Sequence, residues 1–459
     1  MLLKRGEQEQ LAEAVLDHRQ IRRQVISLAW PVAAQMAVQT MAQVVDMAMV
    51  GRLGAASIAA VGLSFRPLFV VHAVLLGLGS GATALVARQV GARDQAGADR
   101  VLAQCFQMSL VLALVVAGGI YLLARGILRF MGAEDPVSDL GTGYIRALSS
   151  GFGALAIITL LTACLRGAGD TRTPMRASII GNVLNVFGNW VLIFGHLGFP
   201  ALGVFGAGLA TSISRVFTVV LLVVPLVRGR TVLRLGDWRP GRVHGEILGR
   251  LLRISWPAAI ERLNVSLAQA FHMRVVASLG TVPVAAATVA TNVESLSFLP
   301  AIGFSVAAAA LVGQSLGAGR PERAAQSAWT AARTGATFMG CMGILFAVFP
   351  RWLVRAFTSD SSVLAPASLL LRLMALIQIP TALAHTLCGG LRGAGDTRSV
   401  LFIVGVSAWV VRVGMALVMV RYLGWGLVGA WVAVVFDWLF QSGLSIWWFS
   451  RGRWKSIRV

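Results

Sequence analysis

Asp46 closes an apolar stretch that begins near residue 24, and Gln39 stands seven positions before it, two turns back along one helical face. Gln35 and Gln43 extend that polar stripe. An ionisable group at membrane depth costs about 2.5–3.5 kcal/mol to insert, so it is a functional candidate by default. A carboxylate facing a polar interior can hold Na+ among carbonyl-type oxygens, or take a proton and become neutral. The plainer reading is a structural acid near a helix end. Asn182, Asn185 and Asn189 recur at three- and four-residue spacing, hence on one face. Facing Asp46 they complete a hydrogen-bonded cation pocket; otherwise they are interhelical glue. In the second half of the chain Glu261 shares a helical face with Asn264, and Glu294 follows Thr291 and Asn292. A salt bridge to Arg262 or another buried Arg is the alternative for Glu261. Arg215, Arg412 and Asp437 also fall inside apolar blocks, where pairing between acids and arginines is the first expectation. His72, His272 and His385 fit single interhelical hydrogen bonds better than proton relays. Phe65, Phe69, Phe298 and Phe304 are candidates for holding an apolar or aromatic substrate.

The elements that must position these groups are membrane spans. The 459-residue chain is 57% hydrophobic and 13% charged, against about 25% charged in soluble domains. Apolar blocks recur at roughly the 20-residue length that a 30 Å hydrocarbon core requires. They fall at 24–50, 57–86, 101–124, 141–165, 174–196, 202–227, 251–279, 284–313, 325–350, 363–390, 399–421 and 425–449. The expected fold is therefore an all-α polytopic membrane protein of twelve transmembrane helices. Arginines crowd the N-terminal segment, every second connection and the tail, and the long segment with Arg228, Arg230, Arg234, Arg239 and Arg242 is the richest. The positive-inside rule then places both termini in the cytoplasm. Residues 7–22 are expected to form a surface helix with Leu11, Val15 and Ile21 facing lipid headgroups.

The formal net charge of +21 does not indicate nucleic-acid binding, because the basic residues sit in short segments between apolar blocks. Cys105, Cys164, Cys341 and Cys388 lie inside apolar blocks with no CxxC spacing, so they read as small buried helix residues. Gly77-Leu-Gly-Ser-Gly81 has no GK[ST] and no preceding strand, and is read as a helix-packing site. No HExxH, GxSxG or ATP-binding motif is present, so no enzyme chemistry and no resident cofactor are expected. Any energy source must then be an ion gradient or a separate partner.

Leu165-Arg-Gly-Ala-Gly-Asp-Thr-Arg172 recurs as Leu391-Arg-Gly-Ala-Gly-Asp-Thr-Arg398, an offset of 226. The same offset aligns Trp30-Pro31 with Trp256-Pro257, Leu85-Val86 with Leu311-Val312, and Gly91-Ala92 with Gly317-Ala318. The chain is thus two six-helix lobes of one orientation, an internal parallel repeat with its axis along the membrane normal. The expected organisation is a cytoplasmic segment 1–23, an N-terminal lobe 24–227, a basic linker 228–250, a C-terminal lobe 251–450 and a tail 451–459. Asp396 and its twin Asp170 sit in the repeated motif at the cytoplasmic edge, where a helix-ending turn built on flexible glycines accounts for both. Pro31, Pro257 and Pro380 supply bends of the kind a carrier needs.

The sequence resembles the MATE family over nearly its whole length. The resemblance is carried by Val45-Asp46 with Val50-Gly51-Arg52-Leu53-Gly54, by both LRGAGDTR copies and by Asn182-Val-Leu-Asn185-Val-Phe-Gly-Asn189. Gly198-Phe-Pro-Ala-Leu-Gly203 with Gly206-Ala-Gly-Leu-Ala-Thr211, and Leu311-Val-Gly-Gln-Ser-Leu-Gly-Ala-Gly319, add to it. It implies efflux of amphipathic, often cationic compounds driven by inward Na+ or H+ flow. By the same resemblance Glu261 matches an acid in span seven of the sodium-linked bacterial branch, and Asp396 resembles a C-lobe acid of that branch. Some branches carry a second acid where this chain has Asn189. The cation-coupling candidates are Asp46, Glu261, Asp396 and Glu294, with Asp46 the Na+ ligand if coupling is to sodium. Gln39, Asn182, Asn185, Asn189 and Asn264 form the candidate polar pocket. The expected setting is a bacterial inner membrane, with amphipathic small molecules and the lipid bilayer as partners, no nucleic acid, and a monomer as the working unit. A lipid-linked oligosaccharide or lipid flippase of related architecture is the alternative.

Overall fold

A computed structural model describes residues 5–132, 135–236 and 244–457, without the side chains at 5–18, 65–69, 135 and 136. All regular structure among these residues is helical. The long helices are α1 (Arg5–Gly51), α2 (Ala55–Gly91), α3 (Gln95–Phe130), α4 (Asp135–Gly167), α5 (Arg172–Phe194) and α6 (Gly203–Val227). They continue with α7 (Gly245–Ala277), α8 (Thr281–Gly317), α9 (Pro321–Val348), α10 (Ser361–Gly393), α11 (Thr397–Tyr422) and α12 (Gly426–Ser450). Even the shortest, at 23 residues, spans about 35 Å at 1.5 Å per residue, enough to cross a bilayer core. Eleven of them are long and apolar enough to do so by composition. The twelfth, α7, has the length but carries Glu246, Arg250, Arg253, Glu261 and Arg262.

The surface helix expected over 7–22 is not a separate element. Nothing between Gly6 and Pro31 interrupts the backbone ladder, so α1 runs on without a break from Arg5. Ile21 is fully buried in protein and does not face headgroups; Leu11 and Val15 lie outside the described side chains.

The chain forms two compact units, one of residues 34–259 and one of residues 1–33 with 260–459. The division falls within α1 and α7, not at the 228–250 segment, and the two division points differ by the repeat offset. In the first unit α4 is central, packed on α2, α3 and α6, with α5 against α6. Val50, Ile120, Leu128, Ile145, Leu148, Phe152 and Ile193 form its core. In the second unit α10, the repeat counterpart of α4, packs on α8, α9 and α12.

Small residues permit these approaches. A Cβ at Gly77 would lie 2.5 Å from the Ala259 backbone, so the first part of α7 sits directly on α2. At the equivalent place in the other unit, a Cβ at Gly303 would lie 2.6 Å from the Ala29 carbonyl, and Ile21, Val25 and Leu28 bury against Phe304, Ala307 and Leu311. Phe304 is therefore a core residue, not a free substrate contact. Pro31 and Pro257 stand inside α1 and α7 just before the division points, and Pro366 and Pro380 stand inside α10. The ladder of α11 widens to π geometry over Ser407–Gly414 and Val418–Tyr422, a form concentrated at functional segments.

Candidate functional site

Both LRGAGDTR copies fold into the same turn. Asp170 N–H donates to the Leu165 carbonyl and Asp396 N–H to the Leu391 carbonyl, each at 2.8 Å. Gly169 and Gly395 take left-handed φ of +88°, where a side chain would be strained. Each carboxylate then caps the next helix: Asp170 accepts from Thr173 N–H at 3.0 Å and its hydroxyl at 2.6 Å, Asp396 from Ser399 N–H at 3.3 Å and its hydroxyl at 2.6 Å. The Asp396 carboxylate is thereby committed to starting α11, as its twin is to starting α5. Asp396→Ala is expected to cost about 1 kcal/mol, the usual loss of an N-cap, and to leave the ion dependence of any activity unchanged. Thermal unfolding beside transport at two sodium levels measures both.

The Asp46 carboxylate is where three helices of the first unit converge. Asn189 on α5 donates from Nδ2 to Oδ1 at 2.5 Å. One turn earlier, the Asn185 amide, oriented by its hydrogen-bond network, donates to the same carboxylate at 3.0 and 3.1 Å. Its oxygen then faces the Thr211 hydroxyl of α6 at 3.2 Å. Asn185 and Asn189 are buried, and Asn189 Oδ1 is a buried acceptor without a partner. On α6 the guanidinium of Arg215 is felt electrostatically by Asp46 but lies over the Phe152 ring at 5.0 Å, with Nη1 buried and unpartnered. Among the described residues the acid is thus held by neutral amides and has no direct ion pair. A carboxylate, amide oxygens and a hydroxyl are hard-oxygen donors of the kind a small cation prefers. Here the amides turn N–H groups to the carboxylate, so a cation would have to turn them over.

Asn182 does not join this site, because it donates to the Ser178 carbonyl and hydroxyl of its own helix at 2.8 and 3.2 Å. It lies seven residues, about 10 Å along the axis, from Asn189. Gln39 is separated from Asp46 by the same rise and is half-buried. A cavity of about 590 Å3 is lined by Val45, Ala48, Met49, Arg52, Trp190, Phe194 and His196, all close along the chain to Asp46 or Asn189, which do not themselves line it. His196 stacks on Trp190 at 4.1 Å and its Nδ1 meets the Trp190 carbonyl at 2.8 Å. The volume falls within the range of small-molecule pockets. The sequence reading missed these aromatics, although Trp190 directly follows Asn189 and Phe194 lies one turn further on.

The second unit treats its acids differently. Glu261 forms a two-pronged ion pair with Arg392 of α10, Nη2 to Oε1 at 2.5 Å and Nε to Oε2 at 3.2 Å. Asn264 instead accepts from Trp409 Nε1 at 3.1 Å. Arg412 pairs with Asp437 through Nε at 2.7 Å, and the Ser407 hydroxyl donates to the same aspartate. Glu294 is half-buried on α8, and Arg412 acts on it electrostatically. Phe298 meets the His385 ring edge-on at 4.6 Å and Trp438 at 6.0 Å. His272 makes one interhelical hydrogen bond, to the Ala430 carbonyl at 3.1 Å. Phe65 and Phe69 lie outside the described side chains. Cys105, Cys164 and Cys388 are buried, whereas Cys341 is exposed.

Twelve long helices among the described residues, in a duplicated arrangement with an amide-cradled acid inside one half, define a polytopic membrane carrier. The chain matches the MatE family over residues 31–191 and 257–441, two stretches that begin at the two equivalent prolines, and it belongs to that family. It is 33% identical over 445 residues to the probable multidrug resistance protein NorM of Thermotoga maritima, covering 96% of this chain and 94% of the relative. It is 25% identical over 413 residues to the uncharacterized transporter YisQ of Bacillus subtilis, covering 90% of each. Among solved structures it resembles a multidrug resistance MATE family transporter of the MOP superfamily in its outward-facing conformation, with TM-score 0.87 and 27% identity over 95% of this chain and 97% of that one. It resembles equally a MOP superfamily transporter from Pyrococcus furiosus described as having a binding pocket of reverse polarity, with TM-score 0.86 and 27% identity over 94% of this chain and 95% of that one.

Proposed function

We propose that this MATE transporter exports amphipathic, cationic small molecules in exchange for inward-moving Na+ or H+, and that Asp46 is the group whose charge the coupling ion neutralises. The observation that carries the reading is the Asp46 carboxylate, held by two asparagine amides, with a buried unpartnered acceptor at Asn189 Oδ1. A sodium ion would draw on Asp46, the amide oxygens and the Thr211 hydroxyl; a proton would sit on the carboxylate itself. Cation and cargo favour opposite-facing states of the carrier, so occupancy by one expels the other. One charge crossing 100 mV supplies about 2.3 kcal/mol, enough with a concentration gradient to drive modest uphill export. The carrier works as a monomer in a bacterial inner membrane with both termini in the cytoplasm.

The test is export of a fluorescent cationic dye from proteoliposomes, with sodium and pH gradients imposed separately. Export driven by one gradient and not the other is expected, and it names the coupling ion. A well-folded protein that exports no dye under either gradient would overturn the reading in favour of a lipid-linked oligosaccharide or lipid flippase.

A further inference from the structure

Two arginines hold equivalent places in the two halves of the molecule, and no coupling or cargo role above uses them. Arg166, second residue of the first LRGAGDTR motif, donates from Nη2 to Gln35 Oε1 at 3.0 Å. Arg392, second residue of the second motif, forms the two-pronged pair with Glu261. Residues 35 and 261 differ by the repeat offset, as do 166 and 392, so this is one contact made twice. Gln35 and Glu261 each stand four residues, about one helical turn, beyond a proline that removes a backbone hydrogen bond from its helix. The arginines are anchored at their own end. The glycine after each one packs backbone to backbone on the neighbouring helix, Gly167 against Thr83 of α2 and Gly393 against Ala309 of α8. Gln35, Glu261 and Arg392 are buried.

We infer that Arg166 and Arg392 are positioning residues for transport: each ties the turn just past the proline of α1 or α7 to the rigidly packed end of α4 or α10, and so sets how far that helix bends. The inference rests on the transport reading above for its kinetic consequence but not for the contact itself. It also gives Glu261 a partner inside the protein in place of a coupling ion. The counterpart at Gln35 shows that an amide suffices as the arginine's acceptor. Glu261→Gln therefore leaves the brace intact, whereas Arg392→Gln leaves a buried carboxylate without its partner, the costly way to break such a pair.

The test reads two quantities on the full-length protein in lipid nanodiscs and proteoliposomes: amide hydrogen exchange across residues 257–265, and the turnover and KM of dye export. In Arg392→Gln, exchange over 257–265 is expected to rise about ten-fold through local opening, and turnover to fall about ten-fold with KM unchanged, since binding and movement are separable. Glu261→Gln is expected within about three-fold of the parent, because an amide still accepts from Arg392. The double variant Glu261→Gln with Arg392→Gln loses the brace without orphaning a charge, and is expected to keep the raised exchange and the lowered turnover. Unchanged exchange in Arg392→Gln, or a double variant that returns to the parent's exchange and turnover, overturns the brace. Loss of ion dependence in Glu261→Gln also overturns it and returns that acid to the coupling site. If the parent exports no dye, the transport reading falls, while the exchange measurement still decides the brace.

Discussion

Asp46→Asn is expected to lower gradient-driven export by about 100-fold, equivalent to about 2.8 kcal/mol, with yield and unfolding temperature nearly unchanged. The substitution keeps the size of the side chain and one oxygen for the amides of Asn185 and Asn189 to meet. It removes the charge that would attract a cation and the carboxylate that would take a proton. Downhill exchange of dye without any gradient should survive better than uphill export, because coupling and movement are different steps. Alanine at Asn189 should cost less, about ten-fold, since Asn185 still holds the carboxylate and one hydrogen bond to a charged group is worth about 1.5–3 kcal/mol. The measurement is initial export rate in proteoliposomes at fixed protein density. Undiminished uphill export by Asp46→Asn would move the coupling ion to another site.

The repeat makes this prediction specific to one half. The position equivalent to Asp46 is His272, whose ring is engaged with the Ala430 carbonyl and lies edge-on to Trp431. Nearby acids of the second unit are neutralised within the protein, Glu261 by Arg392 and Asp437 by Arg412. A duplicated scaffold therefore places an amide-cradled carboxylate in one half and internal ion pairs in the other. Glu294 lies within electrostatic reach of Arg412, and Glu294→Gln tests whether a second cation contributes. A Hill coefficient for sodium that falls toward one in that variant is the expected result if it does.

The spans, the duplication and the capping aspartates were legible in the chain because each is a local pattern. Apolar runs answer bilayer thickness, and a Gly-Asp-Thr turn places its carboxylate over the next helix whatever surrounds it. The Asp46–Asn185–Asn189 cradle was partly legible: helical periodicity placed the asparagines on a face but gave no limit along the axis, so Asn182 was included one full rise too far away. The arginine contacts were not legible as pairs, since Gln35–Arg166 and Glu261–Arg392 each join residues 131 apart. The offset of 226 did carry a signal, because both partners map onto both partners under it. The divisions of α1 after Ala33 and of α7 after Ala259 fall two residues past the equivalent prolines, which mark a bend but not which neighbour each half packs on. That division depends on which neighbour lacks a side chain, and this is settled only when Gly77 and Gly303 meet the helices that cross them.

The same packing logic gives the largest stability effect expected of any single methyl group in the chain. A Cβ at Gly393 would lie 2.1 Å from the Ala309 carbonyl oxygen and 2.6 Å from two further backbone atoms of that residue. Backbone cannot rotate away as a side-chain tip can, so α10 and α8 must separate, and α10 is the helix on which α8, α9 and α12 all pack. Overpacking of this kind costs about 1–3 kcal/mol and more where nothing can yield, so Gly393→Ala is expected at about 3 kcal/mol or above. Its counterpart Gly167→Ala meets the Thr83 carbonyl at 2.6 Å and should cost less, in the same direction. Gly443, with open space where its Cβ would be, is the control, and alanine there should stabilise its helix by about 1 kcal/mol through propensity alone. Thermal unfolding of the three variants in detergent gives the order. Near-parental stability in Gly393→Ala would mean that α8 and α10 can part without loss, and the close helix contact would then be a sliding surface and not a fixed one.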